Sequence, residues 1–80
     1  MKDMPDHVSP IAARVIAKCG GAKATAALAD CTTSWVYRWT YPKERSGTGG
    51  LVPHREAEKL LEAARRGEVD LAPADFFENV

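Results

Sequence analysis

Residues 20–39, GGAKATAALADCTTSWVYRW, constrain the fold more than any other part of this chain, because they read as two short helices joined by a tight turn. At the helical period of about 3.6 residues, Ala22, Thr25, Ala26 and Ala29 fall on one face of the first helix. Thr32, Val36 and Trp39, flanked by Trp35, fall on one face of the second, so the two faces can meet. Ala26 is the smallest side chain that still favours a helix, which suits a point where two helix backbones cross closely. Ser34, Tyr37 and Arg38, with Thr33 at their shoulder, are left on the opposite face of the second helix with no core to enter.

The flanking sequence supplies further helices. Ser9-Pro10 predicts a helix start, with Ser as N-cap and Pro at the first helical position, where a missing N–H costs nothing. Ile11, Ala12, Val15, Ile16 and Cys19 then form an apolar stripe, and Gly20 can end the helix in a left-handed conformation. Pro53 starts another helix, with Ala57, Leu60, Leu61 and Ala64 as its buried stripe and Gly67 as its stop. Leu28, off the main stripe of its own helix, is expected to contact it. Val69 and Leu71 precede Pro73, and a short helical turn carries Phe76 and Phe77 at the end of an acidic tail. Those two rings either fold back to complete the core around Trp35 and Trp39 or form the apolar patch of a dimer interface.

Between Trp39 and Leu51 the chain is too rich in Gly and Pro for regular structure and reads as a basic, flexible loop. Such a connector is either a spacer or a phosphate-binding segment, with Lys43, Arg45, Thr48 and the amides of residues 47–50 along a nucleic-acid backbone. The expected organisation is therefore a flexible segment at residues 1–8 followed by a single all-α domain at 9–80. Within it lie the two-helix motif at 21–39, the loop at 40–51 and C-terminal helices at 53–66 and 73–78. Eighty residues bury only about 60% of the surface the unfolded chain exposes, so one small core is expected.

Charge is divided along the chain. The total is zero, yet residues 1–55 carry eight Lys or Arg against four Asp or Glu, and residues 56–80 carry three against seven. One reading of this asymmetry is a solvated surface; the other is a basic half that meets phosphate. Cys19 and Cys31 lack both the density of a disulfide scaffold and the paired spacing of a zinc site. Cys31 with His7 or His54 has no third group to orient a nucleophile or complete a metal site, and His54 reads as a solvated first-turn residue. Residues 47–50 lack the Lys-Ser or Lys-Thr of a nucleotide-binding loop. The apolar run at 11–17 is interrupted by Arg14, so neither a secretory signal nor a membrane span is expected. Neither enzyme chemistry nor a cofactor or metal is expected, and the cytoplasm, at the nucleoid, is the expected compartment.

The Gly-Gly start, the small-residue first helix and the closing Val36-Tyr37-Arg38-Trp39 resemble the Cro-type helix-turn-helix of lambda-repressor-like proteins, especially the YdaS-like branch of prophage and bacterial regulators. The resemblance covers roughly residues 10–67. It implies an all-α fold of four to five short helices around a helix-turn-helix, and it implies that Thr32, Thr33, Ser34, Tyr37 and Arg38 meet DNA, with Lys23 on a phosphate. Asp30 stands where the family usually has a turn glycine, and Thr25 where it usually has leucine; Asp tolerates the left-handed conformation better than most residues.

The resulting expectation is a sequence-specific regulator of transcription that binds double-stranded DNA. Thr33, Ser34, Tyr37 and Arg38 read bases. Lys23, Thr32, Lys43, Arg45 and Thr48 hold phosphates, with Arg14, Lys18 and Arg55 as further candidates. A homodimer on DNA is expected, with RNA polymerase or another protein as a further partner. The competing expectation is a protein-interaction module or antitoxin-like protein, in which Trp35, Tyr37, Phe76 and Phe77 form a partner groove.

Overall fold

The computed structural model describes residues 8–77, and among them all regular structure is helical. Four α-helices, α1 (Ile11–Cys19), α2 (Ala22–Ala29), α3 (Thr33–Arg38) and α4 (His54–Arg65), are joined by short connections and two 3-10 turns, Lys43–Arg45 and Pro73–Phe76. The fold is all-α, as the spacing of apolar residues predicts. Residues 1–7 of the segment expected to be flexible lie outside the described residues, as does the end of the predicted 73–78 helix.

Three of the four helices stop by the same device. Gly20 (φ +99°), Asp30 (φ +57°) and Gly67 (φ +81°) enter the left-handed region. In each case the next residue's N–H reaches back five positions: Gly21 to Ile16 at 2.9 Å, Cys31 to Ala26 at 3.0 Å and Glu68 to Ala63 at 2.9 Å. These bonds satisfy carbonyls that a helix end otherwise leaves without partners. Asp30 thus does the work of a turn glycine, and α2 and α3 follow each other within three residues.

The helix starts differ in detail from expectation. In α1 Pro10 occupies the N-cap rather than the first helical position, and the Ser9 hydroxyl accepts from the Ile11 N–H at 3.2 Å. Thr32 is exposed rather than part of the apolar face of α3; its hydroxyl accepts from the Trp35 N–H at 3.1 Å and caps the helix. Thr25 is fully buried, and its hydroxyl donates to the Gly21 carbonyl at 2.7 Å, so a polar atom enters the core already paired.

The core gathers on α2, which packs against α1, α3 and α4. Ile11, Ala12 and Val15 of α1, Ala26 and Ala29 of α2, Val36 of α3 and Leu60 of α4 meet around the fully buried Trp39, and Leu71 closes the cluster. Small residues on α2 let three neighbours approach one short helix. On α4 Leu60 of the expected stripe is fully buried, whereas Ala57, Leu61 and Ala64 are only partly buried and Ala63, outside that stripe, is the second fully buried position. Leu28 is partly buried and faces α4 beside Lys59 and Glu62. The tail turn packs on α1, with Phe76 against the core and Phe77 68% exposed, so the two rings part company.

The loop at 40–51 is built rather than loose, contrary to expectation. It contains the 3-10 turn Lys43–Arg45 and ties two helices together through its backbone. Gly49 and Gly50 carbonyls accept from the Ser9 and Ala12 N–H groups, each at 2.8 Å, at the start of α1. Gly50 has φ +89°, and a Cβ there would stand 2.1 Å from the Ser9 carbonyl oxygen, so only glycine fits this crossing. Among the described residues no helix is long and apolar enough to cross a membrane.

Candidate nucleic-acid interface

The side chains that α3 does not bury are the ones its spacing leaves over. Val36 is fully buried and Trp35 partly so, which turns Ser34, Tyr37 and Arg38 outward, all three exposed, with Thr33 partly buried beside them. Six residues at about 1.5 Å each make α3 roughly 9 Å long.

Directly after α3, the 3-10 turn brings Lys43 and Arg45 to the surface, both exposed. Between Tyr37 and Gly50 three cations, Arg38, Lys43 and Arg45, face the single carboxylate of Glu44. The Arg38 guanidinium leans along the loop, with Nη1 3.5 Å from the Ser46 carbonyl oxygen, and Ser46 adopts φ +64°. Arg38, Lys43 and Arg45 therefore lie at or just after the C-terminal end of α3. Lys23 is exposed in the first turn of α2, and Arg55 is exposed in the first turn of α4.

Other expected phosphate contacts are engaged elsewhere. Thr48 is partly buried, and its hydroxyl is used by the loop itself: it accepts from the Leu51 N–H at 3.1 Å and lies within hydrogen-bond distance of the Trp39 carbonyl, also at 3.1 Å. Thr32 spends its hydroxyl on the α3 cap. Lys18 pairs with the Asp75 carboxylate at 2.9 Å, and Arg14 Nη2 is 3.4 Å from the Asp75 carbonyl oxygen, so both face the tail. The residue that the motif reading missed is Ser46, whose contribution is a backbone carbonyl. Only the Ser-Gly-Thr-Gly-Gly run, a sign of left-handed backbone, pointed there.

Cys19 and Cys31 are both free and partly buried. Burial, the larger cause for each, pushes the Cys19 and Cys31 thiols above their usual pKa, and Glu56 adds to it at Cys31. Cys31 is only partly buried, less than a core residue of the turn would be. His54 is exposed and lies 3.0 Å from Glu58, while His7 falls outside the described residues. Among the described residues no three His, Cys, Asp or Glu side chains cluster as a metal would require. On the α4 side, Val52, Ala57, Leu61, Pro73, Phe76 and Phe77 line an apolar groove of about 320 Å³ with His54 and Glu58 at its rim.

Comparison with protein-family models, with curated proteins and with solved structures finds no match to this chain.

Proposed function

We propose that this chain is a helix-turn-helix regulator of transcription that binds double-stranded DNA and reads the major groove with α3. The observation that carries the reading is the exposed Ser34–Tyr37–Arg38 edge of α3, with Lys43 and Arg45 exposed on the turn that follows it. Hydroxyl and phenol groups donate to or accept from base edges, and the Arg38 fork can grip guanine O6 and N7 together, worth about 1–3 kcal/mol of discrimination. Lys23, Lys43, Arg45 and Arg55 supply the cations that hold the duplex in register without reading it. In this reading the chain is not an enzyme, needs no cofactor or metal, and works at the nucleoid.

A helix of six residues touches few base pairs, so useful specificity calls for two copies on a pseudo-palindrome with half-sites about 34 Å apart. A homodimer on DNA follows. The exposed Phe77 beside the apolar groove favours a second reading, an antitoxin-like or other protein-interaction module built on the same core.

Selection from a random duplex library, followed by binding at several salt concentrations, separates the two. Enrichment of one motif by the parent, and loss of that preference in Arg38→Ala, supports the regulator. Unchanged preference in Arg38→Ala rejects the role of Arg38, and no duplex binding even at low salt rejects the regulator in favour of the module.

A further inference from the structure

Helix α3 is too short to hold its own direction. A six-residue helix has no stability in isolation, so the aim of Ser34, Tyr37 and Arg38 depends on what fixes its two ends. Thr32 fixes the first. At the second, the Thr48 N–H donates to the Arg38 carbonyl at 3.1 Å, and the Thr48 hydroxyl lies 3.1 Å from the Trp39 carbonyl oxygen. The same hydroxyl accepts from the Leu51 N–H at 3.1 Å, and the Leu51 carbonyl oxygen also lies against it. One residue therefore meets the last carbonyls of α3 and the backbone on the far side of the loop.

The chain of bonds does not stop there. Gly49 donates to the Tyr41 carbonyl at 2.9 Å, and the Gly49 and Gly50 carbonyls accept from the first amides of the α1 region at 2.8 Å. Residues 48–50 thus run a continuous hydrogen-bonded strap from the C-terminal end of α3 to the N-terminal end of α1. Ser46, two residues before the strap, has its carbonyl oxygen beside Arg38 Nη1.

We infer that Thr48 is a positioning residue for base reading: through its hydroxyl and amide it locks the end of α3 to the loop segment that Gly49 and Gly50 tie to α1, and so sets the direction of Arg38. The inference rests on the DNA-reading function proposed above and changes the expected part of Thr48 in it, from a phosphate contact to an internal brace. A hydroxyl carries one proton, and here that proton is directed at the loop's own carbonyls rather than at solvent.

Thr48→Val keeps the shape and the charge but removes the hydroxyl. The affinity ratio of selected over random duplex should fall by about three- to tenfold, the scale of one lost hydrogen bond. The salt slope should stay that of the parent, because Lys43 and Arg45 remain. Thr48→Ser should restore the ratio. In an Arg38→Ala background Thr48→Val should cost less discrimination than in the parent, since one of the groups it aims is gone. In the free parent protein the Leu51 amide and the Thr48 hydroxyl proton should be protected from exchange with solvent.

An undiminished ratio in Thr48→Val, in a parent that does discriminate, overturns the inference alone and leaves the DNA-reading function standing. A parent with no preference for any duplex overturns both. A lowered salt slope in Thr48→Val would return Thr48 to the phosphates and also overturn it. Should Thr48→Val fail to fold, rapid exchange of both protons in the parent overturns the brace without any variant, and protection supports it.

Discussion

Asp75 holds Lys18 Nζ at 2.9 Å through one carboxylate oxygen and the Ala72 N–H at 2.8 Å through the other, clasping the tail turn to α1. The Ala72 hydrogen bond first, and Lys18 second, hold this carboxyl below the usual carboxylate range. A carboxyl with a lowered folded-state pKa stabilises the fold fully above its unfolded value of about 3.9 and loses that contribution as pH falls through the folded value. Lys18 is 44% exposed, so solvent screening limits the ion pair to at most about 1 kcal/mol. Asp75→Asn should therefore lower the urea midpoint at pH 7, and the gap from the parent should close by about pH 2. A gap that stays constant across this range would mean that the charge of Asp75 contributes nothing.

Trp39 is the largest fully buried side chain, and its Nε1–H finds no hydrogen-bond acceptor among the described residues. An unpaired buried donor costs about 1–3 kcal/mol. Trp39→Phe removes that donor and leaves a small void worth about 1 kcal/mol, so the two effects offset and stability should change by less than about 1 kcal/mol. Trp39→Ala empties the centre of the core and should cost about 3–5 kcal/mol, enough to unfold a domain this small. Chemical denaturation of the two variants checks the contrast, and a loss above about 2 kcal/mol in Trp39→Phe would contradict it.

The turn between α2 and α3 stands on Asp30, whose φ of +57° is tolerable for Asp, free for Gly and poor for residues with a bulky Cβ. Its carboxylate also lies 3.3 Å from Lys59 of α4, but the Asp30 side chain is 86% exposed, so this pair adds little. Asp30→Gly should stay near parental stability. Asp30→Ala should lose about 1 kcal/mol, and Asp30→Val more, because a β-branched residue fits the left-handed region worst. Thermal melts in the order Gly, Ala, Val decide the matter, and equal melting of all three would show that the turn does not depend on this conformation.

The helices were legible because their ends and apolar positions follow from local chemistry that a single chain displays: Gly20 and Gly67 stop α1 and α4, and Ala26, Val36 and Trp39 lie one helical repeat from their neighbours. On α4 Leu60 was legible but Ala63 was not, since Leu61 and Ala64 offer apolar atoms on the neighbouring side of the stripe. Packing on α2 selects Leu60 and Ala63. The exposure of Thr32 and the internal bonds of Thr32 and Thr48 were hidden for a related reason. A hydroxyl serves a core edge, a cap, a loop brace or a phosphate equally well, and only the nearby Trp35 and Leu51 amides settle which. The order in the 40–51 loop was invisible because its bonds join backbone to backbone and leave no mark on composition beyond the glycine at position 50.

Lysines at two places on this fold provide the sharpest test of where a duplex would lie. Lys43 is exposed on the turn after α3, whereas Lys18 is paired with Asp75 on the α1–tail side. Lys43→Ala and Lys18→Ala each remove one positive charge, so any effect of net charge on long-range attraction is the same for both. Only a lysine that displaces counterions from phosphate changes the dependence of affinity on salt, by about 0.9 per contact. Lys43→Ala should therefore weaken selected and random duplexes alike and lower the slope by about one unit. Lys18→Ala should leave the slope as it is in the parent, even if it costs some stability through Asp75. Titrations between low and moderate salt on both variants measure this directly, and a Lys43→Ala slope equal to that of the parent would place the duplex away from the α3 turn.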